Sequence, residues 1–103
     1  MQEKQYNGWT NYETWNYNLW LDNDEKGYNL IQSLAKSVIE TEREKNQVFK
    51  MSELLKMECL SNEPNLKPSF YSDVLNASIR EVNFYEIAEH IIANHREELK
   101  AEA

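Results

Sequence analysis

Turn-forming residues are so scarce that this chain has few places to change direction. Two glycines and two prolines occur among 103 residues, and both prolines, Pro64 and Pro68, lie in one short stretch. An all-β domain needs many tight turns, which draw heavily on glycine and proline. The apolar residues recur instead at the helical period of about 3.6 residues. We therefore predict an all-α fold: a compact single domain of four to five helices over residues 1–103, with frayed ends at residues 1–8 and 100–103.

The same periodicity gives approximate bounds for the helices. They cover residues 11–21, 25–40, 48–60, 70–82 and 84–99, with a proline-punctuated loop at 61–69. The charged stretch 40–47 leaves open whether the second helix continues into the third. The buried positions expected in the third and fourth helices are Val48, Met51, Leu55 and Cys59, then Phe70, Val74, Ala77 and either Ile79 or Val82.

Two helix starts carry capping signals. Thr10 and Glu13 have the T-x-x-E spacing of a capping box, in which each side chain accepts a backbone N–H of the other residue. Asn83 has Glu86 at the same spacing, so we predict that Asn83 caps the last helix.

The first helix carries more aromatic side chains than one face can hide. All three tryptophans lie within residues 8–20. The helical period sorts the large residues into an inward set, Tyr12, Trp15 and Leu19, and a roughly opposite set, Tyr17 and Leu21, with Trp20 on a flank. Two interpretations stay open: a helix buried on all sides, or a surface on which tryptophan and tyrosine bind a partner. We predict that Trp15 and Leu19 are internal, and that Tyr17 and one edge of Trp20 are available for binding.

The acidic residues are concentrated at the two ends of the chain. The net charge is −7, and residues 1–25 hold five acids and one lysine while residues 73–103 hold seven acids and three bases. Such a chain repels nucleic-acid phosphates, which are bound by clustered lysine and arginine. On the last helix Ile87 and Ile91 mark the apolar side, and an acidic stripe is expected on the other: Glu86, Glu89 and Glu97. The stripe is either a solvated face or a surface that docks onto a basic partner.

No catalytic or metal-binding pattern stands out. Cys59 lies in an apolar stripe, and His90 beside Glu86 and Glu89 matches no zinc-ligand spacing. We therefore predict a protein that is not an enzyme and has no cofactor or metal. One cysteine allows no internal disulfide, and no apolar run approaches the roughly 20 residues that span a bilayer. Both observations predict a cytoplasmic protein without membrane contact.

Two segments resemble a family of small, mostly uncharacterised proteins of phages, plasmids and prokaryotic chromosomes. The segments are "GWTNYETWNYNLWLDND" and "DVLNASIREVNFYEIAEHII". The family pairs T-N-Y-E-T-W…L-W-L-D-N-D/E with L-N-A…E-V-N-W-x-E-I-A-E-H. Tyr17 stands where a small aliphatic residue is expected, and Phe84 where tryptophan is expected. The resemblance implies that the two segments meet in space, with Asn11, Glu13 and Asn16 capping or bridging helix ends.

The resemblance also implies a function tied to mobile genetic elements. We expect a small acidic inhibitor that blocks a host nucleic-acid-targeting defence complex, of anti-CRISPR or antirestriction type, by occupying a basic surface. Its partner would be a host defence protein or ribonucleoprotein with a basic groove, met in the host cytoplasm without direct contact to nucleic acid. The alternative is a self-associating or regulatory helical module, such as a homodimer, that involves no nucleic-acid mimicry.

Overall fold

A computed structural model describes residues 6–102, which form one all-α domain of five helices. These are α1 (Tyr12–Asn23), α2 (Glu25–Thr41), α3 (Glu44–Ser61), α4 (Phe70–Glu81) and α5 (Phe84–Glu102). Within this described range no strand occurs, and the one isolated bridge joins Tyr6 to Trp9. The predicted fold class is confirmed. Of the ends expected to fray, residues 1–5 and 103 lie outside the described part, while 100–102 belong to α5.

The core lies between α2, α3 and α5, and α3 with α5 forms the most extensive helix pair. It consists of residues spaced three or four apart, as the helical period requires: Ile31, Ala35, Val38, Met51, Leu55, Phe84, Ile87, Ala88 and Ile92. Ile91 is half-buried at its edge. The predicted stripes of the third and fifth helices are therefore confirmed at Met51, Leu55 and Ile87, each fully buried.

The charged stretch after α2 breaks the helix. Two residues, Glu42 and Arg43, separate α2 from α3. Gln47, at the start of α3, is buried and donates from its side-chain amide to the carbonyl oxygens of Ile39 at 3.4 Å and Glu42 at 3.1 Å. A helix end leaves carbonyls without helical partners, so Gln47 stabilises the break.

The start of α1 differs from the prediction by one residue. Asn11, and not Thr10, is the N-cap, and its side-chain oxygen accepts the N–H of Thr14 at 2.9 Å. The predicted capping box of Thr10 and Glu13 is therefore wrong. The Thr10 N–H is instead bonded to Glu86 on α5, which holds Thr10 outside the helix.

The buried face of α1 is the opposite of the one predicted. Tyr12 and Leu19 are 49% and 40% exposed. Trp15 is half-buried and packs against Tyr6, with 5.0 Å between the ring centroids. Tyr17 instead packs on the core, its ring 5.6 Å from that of Phe84 in an edge-to-face arrangement. Trp15 and Leu19 are thus not core residues, because the packing of Tyr17 turns them outward.

Helix α4 also directs a different face towards the rest of the domain from the one predicted. None of its residues is buried, and Phe70, Val74 and Ala77 are exposed. Ile79 and Val82, one of which was expected inside, are both half-buried, and with Leu75 they face the rest of the domain. Among the helices α4 contacts α1. The inward positions follow the helical period as well as the expected ones do, so the sequence pattern alone did not distinguish them.

Candidate partner-binding surface

The N-terminal segment and the first turn of α1 are joined to the end of α4 and the start of α5 by three long-range hydrogen bonds, which we call the clasp. Thr10 N–H donates to Glu86 Oε1 at 3.0 Å, the Asn11 side-chain amide donates to the Glu81 carbonyl at 2.7 Å, and Asn83 N–H donates to Thr14 Oγ1 at 2.8 Å. The expectation that the two motif segments meet is confirmed by these contacts.

The clasp is a capping box divided between two helices. Asn83 caps α5 as predicted, because its side-chain oxygen accepts the Glu86 N–H at 3.0 Å. In an ordinary box the third-residue glutamate would bond the N–H of the cap residue. Here Thr14 takes that N–H, and the Glu86 carboxylate takes the N–H of Thr10. Asn11 was expected to cap or bridge helix ends, and it does both: it caps α1 and bonds the Glu81 carbonyl. Thr14, which also lies within the T-N-Y-E-T motif, was not predicted as a site residue.

Glu86 is therefore not a surface residue. It was expected in the exposed acidic stripe, but it is 3% exposed. The helical period correctly places it away from the apolar arc, yet the segment around Thr10 covers that side of α5. Glu89 and Glu97 are exposed, as expected.

A tight turn extends the contact between the N-terminus and α5. Tyr6 and Trp9 exchange two backbone hydrogen bonds across Asn7 and Gly8, which have φ angles of 47° and 89°. Consecutive positive φ angles suit the Asn-Gly pair of a two-residue hairpin turn. The turn presents the Trp9 ring to His90, with 4.4 Å between ring centroids.

With one side of α1 fixed by the clasp, its far end exposes Trp20 between two grooves. The indole is 68% exposed. One groove, of 480 Å³, lies between α1, α2 and α3, and the other, of 340 Å³, lies between α1 and α4. Tyr17, Trp20 and Cys59 line both grooves, so we name this surface the Trp20 ridge.

The base of the ridge is uncharged. Burial, followed by the adjacent Cys59, raises the pKa of Tyr17 above the ordinary tyrosine value. Burial also raises the pKa of the Cys59 thiol, although Tyr17 acts in the opposite direction. Both side chains therefore keep their protons at neutral pH. A protonated thiol is a weak nucleophile, which agrees with the view of Cys59 as a packing residue.

The rim of the ridge is acidic. Glu13 lines the α4 side, and Asp24 and Glu58 line the other groove. Side-chain amides lie between them at Asn16, Asn23 and Asn62. None of the described residues that line the two grooves is a lysine or an arginine. The surface therefore combines an apolar anchor with hydrogen-bonding groups and a negative border, and so favours a ligand that is apolar at its centre and cationic at its edge.

Two other features are missing from the described residues. Over residues 6–102 no cluster of three or more histidine, cysteine, aspartate or glutamate side chains is arranged to hold a metal ion. None of the described helices is long and apolar enough to cross a membrane.

Comparison with protein families places the chain in a wider group. The profile of one family matches residues 2–103. The chain belongs to DUF7249, a family of unknown function. The match covers both sides of the clasp and every helix that borders the Trp20 ridge. Searches of the curated proteins and of the solved structures found no match.

Proposed function

We propose that this member of DUF7249 is a non-catalytic binding module that docks onto a basic surface of another protein through the Trp20 ridge. The observation that carries the proposal is the position of Trp20, 68% exposed between two grooves with a carboxylate rim. A large aromatic ring left in water beside apolar grooves is a typical anchor of a protein interface.

Two kinds of group on the Trp20 ridge would contribute to binding: the Trp20 indole and the carboxylates at the rim. Burying an indole in a partner's pocket would supply much of the affinity, since tryptophan anchors commonly contribute about 2 kcal/mol or more. Carboxylates at the rim would speed association with a basic surface and disfavour acidic ones. Glu89 and Glu97 on α5, together with the net charge of −7, would add long-range attraction.

The partner that we propose is a host nucleic-acid-targeting defence complex of the CRISPR or restriction type. Such complexes bind phosphate backbones, so they present clustered lysine and arginine side chains. An acidic protein seated there would exclude the nucleic acid without touching it. The resemblance of the two motif segments to proteins of phages and plasmids supports this choice, and it also suggests the host cytoplasm as the place of action.

The test uses the full chain as bait in lysates of candidate hosts, at low and high salt. The wild-type protein should retain a nucleic-acid-targeting complex at low salt and lose it as salt screens the charges. Trp20→Ala should retain at least about tenfold less, because truncating a tryptophan anchor commonly costs that much affinity. The matched control is Phe49→Ala, which removes another exposed ring, on α3, outside the ridge.

Two results would overturn the proposal. One is that no nuclease or nucleic-acid-binding complex is retained at low salt from any host tested. The other is that Trp20→Ala and the wild-type protein retain the same complex equally well, which would move the contact away from the ridge.

A further inference from the structure

The outward face of α4 is an apolar surface that nothing in the described part of the chain covers. Phe70 and Tyr71 are 75% and 74% exposed, and Val74 is 48% exposed. The two rings pack edge to face, with 5.7 Å between their centroids. Ala77, also exposed, continues the face one turn further. A contiguous patch of this kind usually marks an interaction site.

Opposite charges border this face in a self-complementary order. Asp73 lies in the first turn of α4 and Arg80 in the last. They are seven residues apart, which places them on the same flank of the helix. When two copies of a helix pair antiparallel about a two-fold axis, the same flanks of both copies meet. Asp73 of each copy then lies beside Arg80 of the other, which makes two ion pairs.

We infer that the outward face of α4 is a contact between two copies of this chain, paired antiparallel about a two-fold axis. Phe70 and Val74 of one copy cover the second half of α4 in the other, and the small side chain of Ala77 lets the helices approach closely. The commitment to a second copy rests on the charge order, because one face supplies both halves of each ion pair.

This contact is separate from the Trp20 ridge. The groove beside the ridge is lined by the other side of α4, through Leu75 and Ile79. The antiparallel pair leaves both ridges open, so either proposal can fail while the other stands.

The test measures the dimer dissociation constant of the purified full chain by sedimentation velocity over a range of concentrations. The wild-type protein should show a concentration-dependent monomer–dimer equilibrium. Phe70→Ala should weaken it, because the apolar contact is lost. Asp73→Arg alone and Arg80→Asp alone should each weaken it about tenfold or more, because like charges then face each other twice.

The decisive arm mixes the two single charge reversals in equal amounts. In the mixed pair Arg at position 73 of one copy faces Asp at position 80 of the other, and the native pair of Asp73 and Arg80 remains at the other end of the contact. The mixture should therefore dimerise close to the wild-type level, as should the chain that carries both reversals. Glu53→Arg, at an exposed position of α3, is the matched control and should change nothing.

The proposal is overturned if the wild-type protein stays monomeric at every concentration. It is equally overturned if a dimer forms that ignores both reversals, or if neither the mixture nor the double variant restores what the single reversals lose. Circular dichroism of each variant shows whether α4 remains folded. If a single reversal unfolds it, the double variant and Phe70→Ala still decide the question.

Discussion

The hydroxyl of Thr14 accepts a hydrogen bond from the backbone N–H of Asn83, 69 residues further along the chain, at 2.8 Å. Thr14 is completely buried, and it is the third residue of α1. Asn83 is the cap of α5 and has no helical partner for its N–H. Together with the packing of Tyr17 on Phe84, this contact holds the start of α1 against the start of α5 and leaves Trp20 facing solvent.

Replacing Thr14 with valine should destabilise the domain. Valine has nearly the same shape but lacks the acceptor, so the N–H of Asn83 loses its partner in a part-buried hydrogen bond. We expect a loss of about 1–3 kcal/mol in the free energy of unfolding, measured by denaturant titration. Thr14→Ser keeps the hydroxyl and should retain more of that stability. Equal losses in the two variants would show that the methyl group, and not the hydrogen bond, matters.

Two glutamates of α5 provide a matched pair. Glu86 is 3% exposed and accepts the Thr10 N–H, whereas Glu89 is exposed. Both variants truncate a glutamate of the same helix to alanine, so they differ chiefly in whether the lost carboxyl group is buried. Glu86→Ala should cost about 1–3 kcal/mol, because it leaves the Thr10 N–H without this acceptor. Glu89→Ala should stay within about 0.5 kcal/mol. A large loss for Glu89→Ala would contradict the assignment of inward and outward glutamates.

Tyr17 should make the domain less stable in alkali. Its pKa in the folded protein is raised by burial and then by Cys59. Above the ordinary tyrosine pKa of about 10, the unfolded chain releases this proton while the folded protein keeps it, so unfolding is favoured as the pH rises. Below that value both states are protonated and the contribution is constant.

Denaturant titrations at neutral and at strongly alkaline pH measure this slope. Tyr17→Phe should reduce the alkaline loss of stability. Tyr71→Phe, which changes a ring that is 74% exposed, should leave the loss as in the wild-type protein. An unchanged slope in Tyr17→Phe would mean that the phenol is hydrated in the folded state.

The same substitution at two leucines distinguishes the core from the loop before α4. Leu55 is completely buried in α3, and Leu66 is 44% exposed in the loop between α3 and α4. Leu55→Ala should cost about 2–5 kcal/mol through lost burial and a new cavity. Leu66→Ala should stay within about 0.5 kcal/mol. Comparable losses would place a second core beneath the loop.

The sequence was sufficient to predict the helical bundle because each core helix has one dominant apolar side. Met51 and Leu55 on α3, and Ile87 on α5, recur at the helical period and are buried as predicted. The prolines, Pro64 and Pro68, likewise mark the one long connection among the five described helices. Local pattern and tertiary packing agree in these elements, so periodicity alone was informative.

Helix α1 could not be oriented in the same way because it is apolar on two sides. Either Trp15 with Leu19 or Tyr17 with Leu21 could have faced the core. The structure selects Tyr17, whose ring packs on Phe84, and places the polar Thr14 on the buried side. From the sequence alone a polar residue such as Thr14 is expected at the surface. Its burial is explained only by the hydrogen bond that its hydroxyl accepts from Asn83.

Glu86 shows the corresponding limit for charged residues. A carboxylate opposite an apolar arc is usually solvated, and the spacing from Asn83 indicated only a local capping bond for Glu86, not its burial. Its partner is the N–H of Thr10, 76 residues away. Only the resemblance of the two segments to a paired motif suggested that they meet. It indicated Asn11 among the contacting side chains, but it did not indicate Glu86.

Amide hydrogen exchange at Asn83, followed by nuclear magnetic resonance, tests the clasp most directly. A cap residue's N–H precedes the helix and would ordinarily exchange fast with solvent. We predict that the Asn83 amide of the wild-type protein exchanges as slowly as the core amides of α5, and that Thr14→Val selectively removes this protection while the amide of Leu55 keeps it. Fast exchange at Asn83 in the wild-type protein, or protection that survives in Thr14→Val, would contradict the account.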